Sequence, residues 1–93
     1  MFIGKVSGTV VATRKDPKLY GKKLLVVIPV DENLKEKKDY LVAVDTVSAG
    51  YKEYVLVVQG SSARMAEGMK DCPVDSAIIG IVDSFVIDGK EIK

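Results

Sequence analysis

Three aspartates are the side chains of this sequence best suited to chemistry, because each lies in or beside an apolar run. Burying Asp45, Asp75 or Asp83 would be costly unless the carboxylate accepts hydrogen bonds or meets a cation. Arg64, one of only two arginines, is a candidate partner. Two carboxylates held across a cleft would suit the acid–base chemistry of a hydrolase, but structural pairing is the simpler interpretation.

The chain has no histidine and a single cysteine, Cys72. These counts exclude a Ser-His-Asp triad, a Cys-His pair and a histidine-based zinc site. They also exclude a disulfide within the chain, which fits a reducing cytosol. We therefore expect no catalytic residue, no cofactor and no metal ion.

Two further features suit binding. The loop Gly60 to Arg64 places backbone N–H groups, two hydroxyls and a guanidinium at the start of a predicted helix, which suits a small anion but equally suits an ordinary helix cap. Lysines cluster in two loops of the kind that flank the nucleic-acid groove of small barrels. Acidic residues interleave with them, aromatic residues are only 6% of the chain, and the net charge is +1, so a solvated rim is favoured. The lysines are Lys15, Lys18, Lys22 and Lys23 in the first loop and Lys35, Lys37 and Lys38 in the second.

Length and hydropathy limit the number of domains and the size of the core that can position these groups. The 93 residues, 47% of them hydrophobic, suit a single domain over residues 1–93 with a thin core that oligomerisation would support. No apolar run reaches the roughly 20 residues of a membrane span, and the N-terminus lacks the pattern of a signal peptide. We expect a cytoplasmic protein without a membrane partner.

Valine and isoleucine supply close to a quarter of the chain, which favours strands. Gly4 and Gly8 fall on one face of the first strand and predict a sharp bend, and Asp88-Gly89 predicts a hairpin turn. The pattern predicts a mainly β fold, a small five-stranded Greek-key barrel of the oligonucleotide-binding type with one short helix and a C-terminal hairpin. Strands are predicted at residues 2–13, 24–28, 40–47, 53–59, 76–87 and 90–93, and the helix at residues 60–69.

Several segments occur together in the order found in one known family. They are residues 8–15, 19–25, 42–47, 49–50, 53–57, 60–64 and 73–83, and they cover nearly the whole chain. On these segments the sequence resembles the EutN/CcmL family of bacterial microcompartment vertex proteins. The ordered set is far more specific than any one of its parts.

The resemblance implies a structural protein and not an enzyme. Five barrels would form a cyclic homopentamer that caps the vertices of a polyhedral shell in the bacterial cytoplasm, beside hexameric shell proteins. The alternative is a monomeric or dimeric barrel that binds single-stranded nucleic acid, although nucleic acid is not the partner we expect; a small hydrolase is a distant third.

A ring of this kind joins one face of each subunit to a different face of the next. The run of residues 24–28 is apolar on both faces, and we expect a neighbour to cover it, together with the run of residues 77–82. The candidate interface strands are represented by Val26, Ile28, Ile79 and Ile81, and the candidates for the interface or pore rim are Ser48, Ala49, Gly50, Gly60, Ser61, Ser62, Ala63 and Arg64.

The chain departs from the family at one turn. Relatives commonly have Gly-Ala-Gly-x-Gly-Glu where this chain has Ser48-Ala49-Gly50-Tyr51-Lys52-Glu53. The loss of two glycines restricts the turn, because serine and lysine tolerate positive φ poorly. Should the turn lie near the five-fold axis, pore width and charge would differ here.

Overall fold

A computed structural model describes residues 1–13, 16–60, 63, 65–66 and 75–93. Within them, five strands form a closed barrel and two short strands form a separate hairpin. The barrel strands are β1 Phe2–Val10, β2 Lys23–Pro29, β3 Leu41–Asp45, β4 Tyr54–Gln59 and β5 Ser76–Ile81; the hairpin strands are β6 Val86–Ile87 and β7 Lys90–Glu91.

The barrel strands follow the order β1, β2, β3, β5, β4, and β4 pairs with β1 to close the circle. Neighbours are antiparallel except β3 and β5, which are parallel and pair Val44 with Ala77 and Asp45 with Ile78. The insertion of β5 between β3 and β4 is the non-consecutive connection of a Greek-key barrel. The predicted architecture is confirmed.

The barrel holds two apolar clusters because its strands are apolar on both faces. Successive side chains of a strand point to opposite sides, so Leu25 faces the interior while Leu24 faces outward. Leu24 is nevertheless buried, because an outer cluster covers it. The interior contains Val6, Leu25, Val27, Ala43, Ala49, Val55, Val57 and Ile78, and the outer cluster contains Leu24, Val44, Val58, Ala63 and Ala77.

The predicted bend in the first strand is a β-bulge. Val6 pairs with Val27 and Gly8 with Val26, so Ser7 is an extra residue in β1. Gly4 permits a close approach of β1 to β2, since a Cβ added there would collide with Cγ1 of Val27. The strand ends at Val10, short of the predicted residue 13, because its partner β2 begins at Lys23.

The prediction of one strand over residues 76–87 is wrong. β5 ends at Ile81, and the chain leaves the barrel after the Val82 N–H donates to the carbonyl of Tyr54 at 2.8 Å. The predicted hairpin turn is confirmed, because Asp88 and Gly89 have φ values of 52° and 76°, as a type I′ turn requires. The final strand is also shorter than the predicted residues 90–93.

Two predictions concern less regular segments. Most of the predicted helix at residues 60–69 lies outside the described residues. Within the described part of this range, Ala63 is helical. The first predicted loop contains a 3-10 turn, Pro17–Leu19, in which the Asp16 carboxylate accepts a hydrogen bond from the Lys18 N–H at 2.9 Å. Proline at the first position suits such a turn, because its fixed φ is already helical.

Candidate assembly surfaces

Asp45 has a buried carboxylate that is held by hydrogen bonds and an ion pair. Its carboxylate accepts hydrogen bonds from the N–H groups of Val47 at 3.0 Å and Ala49 at 2.9 Å, and its side chain is only 1% exposed. The ammonium of Lys23 lies 3.9 Å from Oδ2 and donates to the carbonyl of Ala49 at 3.3 Å. Asp45 therefore fixes the start of the turn at residues 46–53, with Lys23 as its cation.

The other two aspartates do not join Asp45. Asp75 and Asp83 are exposed, and their backbone carbonyls accept bonds from the Gly60 N–H and the Lys93 ammonium. Among the described residues no cluster of three or more acidic or cysteine side chains is placed to hold a metal ion. Arg64, the predicted cation partner, lies outside the described residues.

The turn at residues 46–53 takes the backbone conformation that the missing glycines would favour. Ser48 and Lys52 have φ values of 59° and 71°, in the left-handed region. The Glu53 carboxylate accepts a hydrogen bond from the Gly50 N–H, and a Cβ at Gly50 would lie 3.1 Å from the same oxygen. The chain therefore keeps this turn although the backbone of Ser48 and Lys52 is strained by positive φ.

Lys52→Gly is expected to stabilise the subunit by about 0.5–1 kcal/mol, because the relief of left-handed strain exceeds the entropy that glycine adds to the unfolded chain. Ser48→Gly should act in the same direction. Chemical denaturation at fixed subunit concentration measures the change. Glu32→Gly, at an exposed turn residue without positive φ, is the control and should be neutral or destabilising. A destabilised Lys52→Gly would contradict this account of the turn.

The predicted interface or pore-rim residues fall into three groups. Ala49 and Ala63 are buried within their own subunit, so their side chains are not available to a neighbour. Ser48 and Gly60 are exposed, and Gly50 is half-buried. Ser61, Ser62 and Arg64 lie outside the described residues, so their assignment stays a prediction, as does the anion site at this loop.

The predicted interface strands contribute to two different surfaces. Val26 and Ile28 are half-buried on the outward face of β2, and Val26 pairs with Val42 of β3, which is 39% exposed. We call Val26, Ile28 and Val42 the β2–β3 strip. Val42 was not among the predicted interface residues, although its alternation with the inward-facing Ala43 indicates that it faces outward.

Ile81 belongs to a groove elsewhere on the barrel, whereas Ile79 packs against the outer cluster. Ile3 and Leu56, paired across β1 and β4, both line this groove, which has a volume of about 420 Å³. We call it the β4 groove; its lining is Ile3, Leu56, Ile81, Val82, Asp83, Ser84 and Phe85. It was missed because its residues come from three separate parts of the chain.

The exposed aromatic rings on which nucleic-acid bases could stack are dispersed. The exposed Tyr20, Tyr40 and Tyr51 lie on three different loops, and Lys52 covers the ring of Tyr51 at 5.5 Å. In the second loop the Lys35 and Asn33 N–H groups donate to the Asp31 carboxylate, and these bonds, with Lys35 the larger contributor, lower the pKa of Asp31. Asp31 thus stays ionised beside the lysines and weakens their field.

Among the described residues there is no helix with the length and apolar character to cross a membrane.

Comparison with known proteins gives consistent results. A family model described as "Ethanolamine utilisation protein EutN/carboxysome" matches residues 1–83. The chain is 44% identical to the carboxysome shell vertex protein CcmL of Synechococcus elongatus, over 99% of this chain and 93% of that protein. It is 49% identical to the bacterial microcompartment shell vertex protein GrpN of Rhodospirillum rubrum, over 90% and 94%.

Solved structures agree with the sequence matches. The barrel superposes on CcmL of Gloeobacter violaceus with a TM-score of 0.95, at 41% identity, covering 100% of this chain and 96% of that one. It superposes on the GrpN pentameric microcompartment shell protein of Rhodospirillum rubrum with a TM-score of 0.86, at 46% identity, covering 94% and 99%.

Proposed function

Because the chain belongs to the EutN/CcmL family of microcompartment shell vertex proteins, we propose that five copies form a ring that caps the vertices of a bacterial microcompartment shell. The superposition on the pentameric GrpN structure carries this proposal, since it extends over nearly the full length of both chains. The protein is a structural shell component and not an enzyme.

The geometry of a closed shell explains what the ring does. Hexagonal tiles on their own cover a flat sheet, and a sheet closes into a polyhedron only where five-fold units form its corners. The partners are therefore four further copies of this chain within the ring and hexameric shell proteins around it. The protein acts in the bacterial cytoplasm as part of the shell, with one barrel domain in each chain.

The surfaces assigned to the ring are proposals supported by burial and exposure. Three of the apolar residues assigned to the interface remain partly exposed in a single subunit, namely Val26, Ile28 and Ile81. Contact with a neighbouring subunit would bury them. The assignment of Ser48, Gly50 and Gly60 to the interface or the pore rim stays a proposal, supported by the exposure of Ser48 and Gly60 and the half-buried position of Gly50.

Native mass spectrometry of the purified protein is expected to give a particle of five 10.1 kDa chains. When the protein is co-produced with the hexameric shell proteins of its own compartment, we expect closed shells; without it, we expect open sheets or tubes. Single subunits at every concentration tested, or shells that close equally well in its absence, would contradict the proposal.

The two alternative functions receive no support. Neither CcmL nor GrpN, the two relatives described above, is named as a nucleic-acid-binding protein or an enzyme. A nucleic-acid module would bind single strands with an affinity that falls steeply with salt, and we expect no such binding.

A further inference from the structure

The C-terminal hairpin carries the dipeptide in which an aspartyl side chain reacts most readily with its own backbone. Asp88 is exposed and is followed by Gly89, which has no Cβ to hinder attack by its amide nitrogen. None of the other aspartates in the sequence precedes a glycine; the exposed Asp83, for example, is followed by Ser84. The chemistry of this turn is therefore specific to one position in the chain.

The hairpin opens at a low free-energy cost. Among the described residues, β6 and β7 pair only with each other, and each is two residues long. A ribbon of two strands is marginally stable in water, and the ends of a chain open locally far more often than its core. Beyond the ladder, the Ile92 N–H donates to the carbonyl of Phe85 at 3.0 Å, and the Lys93 ammonium donates to the carbonyl of Asp83 at 3.2 Å in an exposed bond. The hairpin is therefore open for a substantial fraction of the time.

The closed turn protects Asp88 from reaction. Attack on its side chain requires the Gly89 nitrogen to lie on the same side of the Cα–C bond as Cβ. In a type I′ turn the ψ of the first central residue is about 30°, which turns that nitrogen away from Cβ. Asp88 occupies this position with a φ of 52°. The reaction therefore proceeds only from the open hairpin.

We propose that Asp88 is a site of spontaneous covalent isomerisation to isoaspartate, reached through opening of the hairpin. The Gly89 nitrogen attacks Cγ of the protonated carboxyl, an N–Cγ bond forms, and the nitrogen proton leaves with the carboxyl hydroxyl as one water molecule. The five-membered succinimide then takes up one solvent water at one of its two carbonyl carbons. Cleavage between the nitrogen and the main-chain carbonyl of Asp88 leaves isoaspartate, and cleavage at Cγ restores aspartate. Mass and oxidation state are unchanged.

Isomerisation unpairs the hairpin permanently. The backbone of isoaspartate passes through Cβ and Cγ and is one atom longer, so a two-residue turn no longer aligns Ile87 with Lys90. The hydrogen bond from the Ile92 N–H to Phe85 depends on that alignment. Because Phe85 lines the β4 groove, the modification also changes the surface of that groove. This inference goes beyond the proposed function and does not depend on the pentamer.

Peptide mapping measures the reaction at Asp88 beside an internal control. The purified protein is kept warm in mildly acidic buffer for several weeks, in parallel with the same chain unfolded in guanidinium chloride. Trypsin then releases one peptide of residues 71–90, in which electron-transfer fragmentation locates isoaspartate. We expect a second form of identical mass with isoaspartate at Asp88 and far less at Asp83, where the following serine hinders attack. The rate in the folded chain should lie within about tenfold of the rate in the unfolded chain.

A reversible disulfide tests whether the reaction needs the open hairpin. Val86 and Glu91 pair directly across the hairpin, and both are exposed, so Val86→Cys and Glu91→Cys place two thiols side by side away from the core. In a Cys72→Ser background, oxidation should slow the isomerisation of Asp88 by about tenfold or more, and a reductant should restore the rate. The reduced form of the same variant is the matched control.

Two results would overturn the proposed site. A rate in the folded chain more than about tenfold below the unfolded rate would mean that the hairpin stays closed, and equal rates in the oxidised and reduced variant would mean that opening is not needed. Hydrogen exchange tests the consequence, since the Ile92 amide should exchange faster in the purified isoaspartate form than in the aspartate form. Equal exchange in the two forms would overturn the permanent unpairing. None of these measurements depends on the oligomeric state, so their failure would leave the proposed function intact.

Discussion

Gly4→Ala is expected to destabilise the subunit by about 2–3 kcal/mol, a large part of the stability of a domain this size. The added methyl group would collide with Cγ1 of Val27, a fully buried side chain, and would lie 3.3 Å from the carbonyl oxygen of Ile28. Neither neighbour is free to move, because one belongs to the interior and the other to a barrel strand. Chemical denaturation below the assembly concentration measures the loss.

Gly8→Ala is the matched control in the same strand. A Cβ at Gly8 would make ordinary van der Waals contact with Val26, at 3.8 and 3.9 Å, so we expect a change within about 0.5 kcal/mol. Equal losses at the two positions would show that the loss at Gly4 does not come from the close approach of β1 to β2.

Asp45→Asn is expected to cost about 3 kcal/mol. The carboxylate accepts two backbone N–H bonds in a buried site, and an amide can accept only one of them while its NH₂ group faces the other donor. The turn at residues 46–53 should loosen with it, because both donors belong to that turn. Hydrogen exchange at the Val47 and Ala49 amides measures this local effect beside the global loss of stability.

Lys23→Met separates the hydrogen bonds of Asp45 from its ion pair. Lys23 is 54% exposed and its ammonium lies 3.9 Å from the carboxylate, so water screens the pair and the loss should stay below about 1 kcal/mol. A loss from Lys23→Met as large as that from Asp45→Asn would mean that the charge pair, and not the backbone bonds, holds the turn.

Local signals in the sequence were sufficient for the barrel and its hairpin. Alternating apolar residues located the strands, and Asp88-Gly89 located a type I′ turn, because the conformations concerned depend on neighbours along the chain. The turn at Ser48 and Lys52 was expected to be restricted by the loss of two glycines, yet both residues adopt positive φ values.

Features of the fold that depend on tertiary contacts were predicted less well from the sequence. The run of residues 76–87 was predicted as one strand in spite of the polar pair Asp83-Ser84, and β5 ends at Ile81, where the chain leaves the barrel. The register of β4 and β5 also shifts, since Leu56 pairs with Gly80 and Val57 with Ile78, which makes Ile79 an extra residue. A pattern of two-residue alternation contains no information about such a shift.

The candidate assembly surfaces show the same difference between features that depend on local sequence and features that depend on tertiary contacts. Asp45 was recognised as a carboxylate in need of partners, but those partners are Lys23 and the next turn instead of Arg64. Both faces of β2 were expected to need cover, yet Leu24 is covered by the outer cluster of its own subunit. The β4 groove combines residues from β1, β4 and the segment after Ile81, so only the fold reveals it.

The position of β5 in the barrel has a consequence for synthesis on the ribosome. β5 is the last barrel strand along the chain, and it forms two seams at once, one with β3 and one with β4. A nascent polypeptide that ends before β5 therefore cannot close its wall, however long translation pauses. A chain truncated before β5 is therefore expected to lack the closed barrel that a ring is built from.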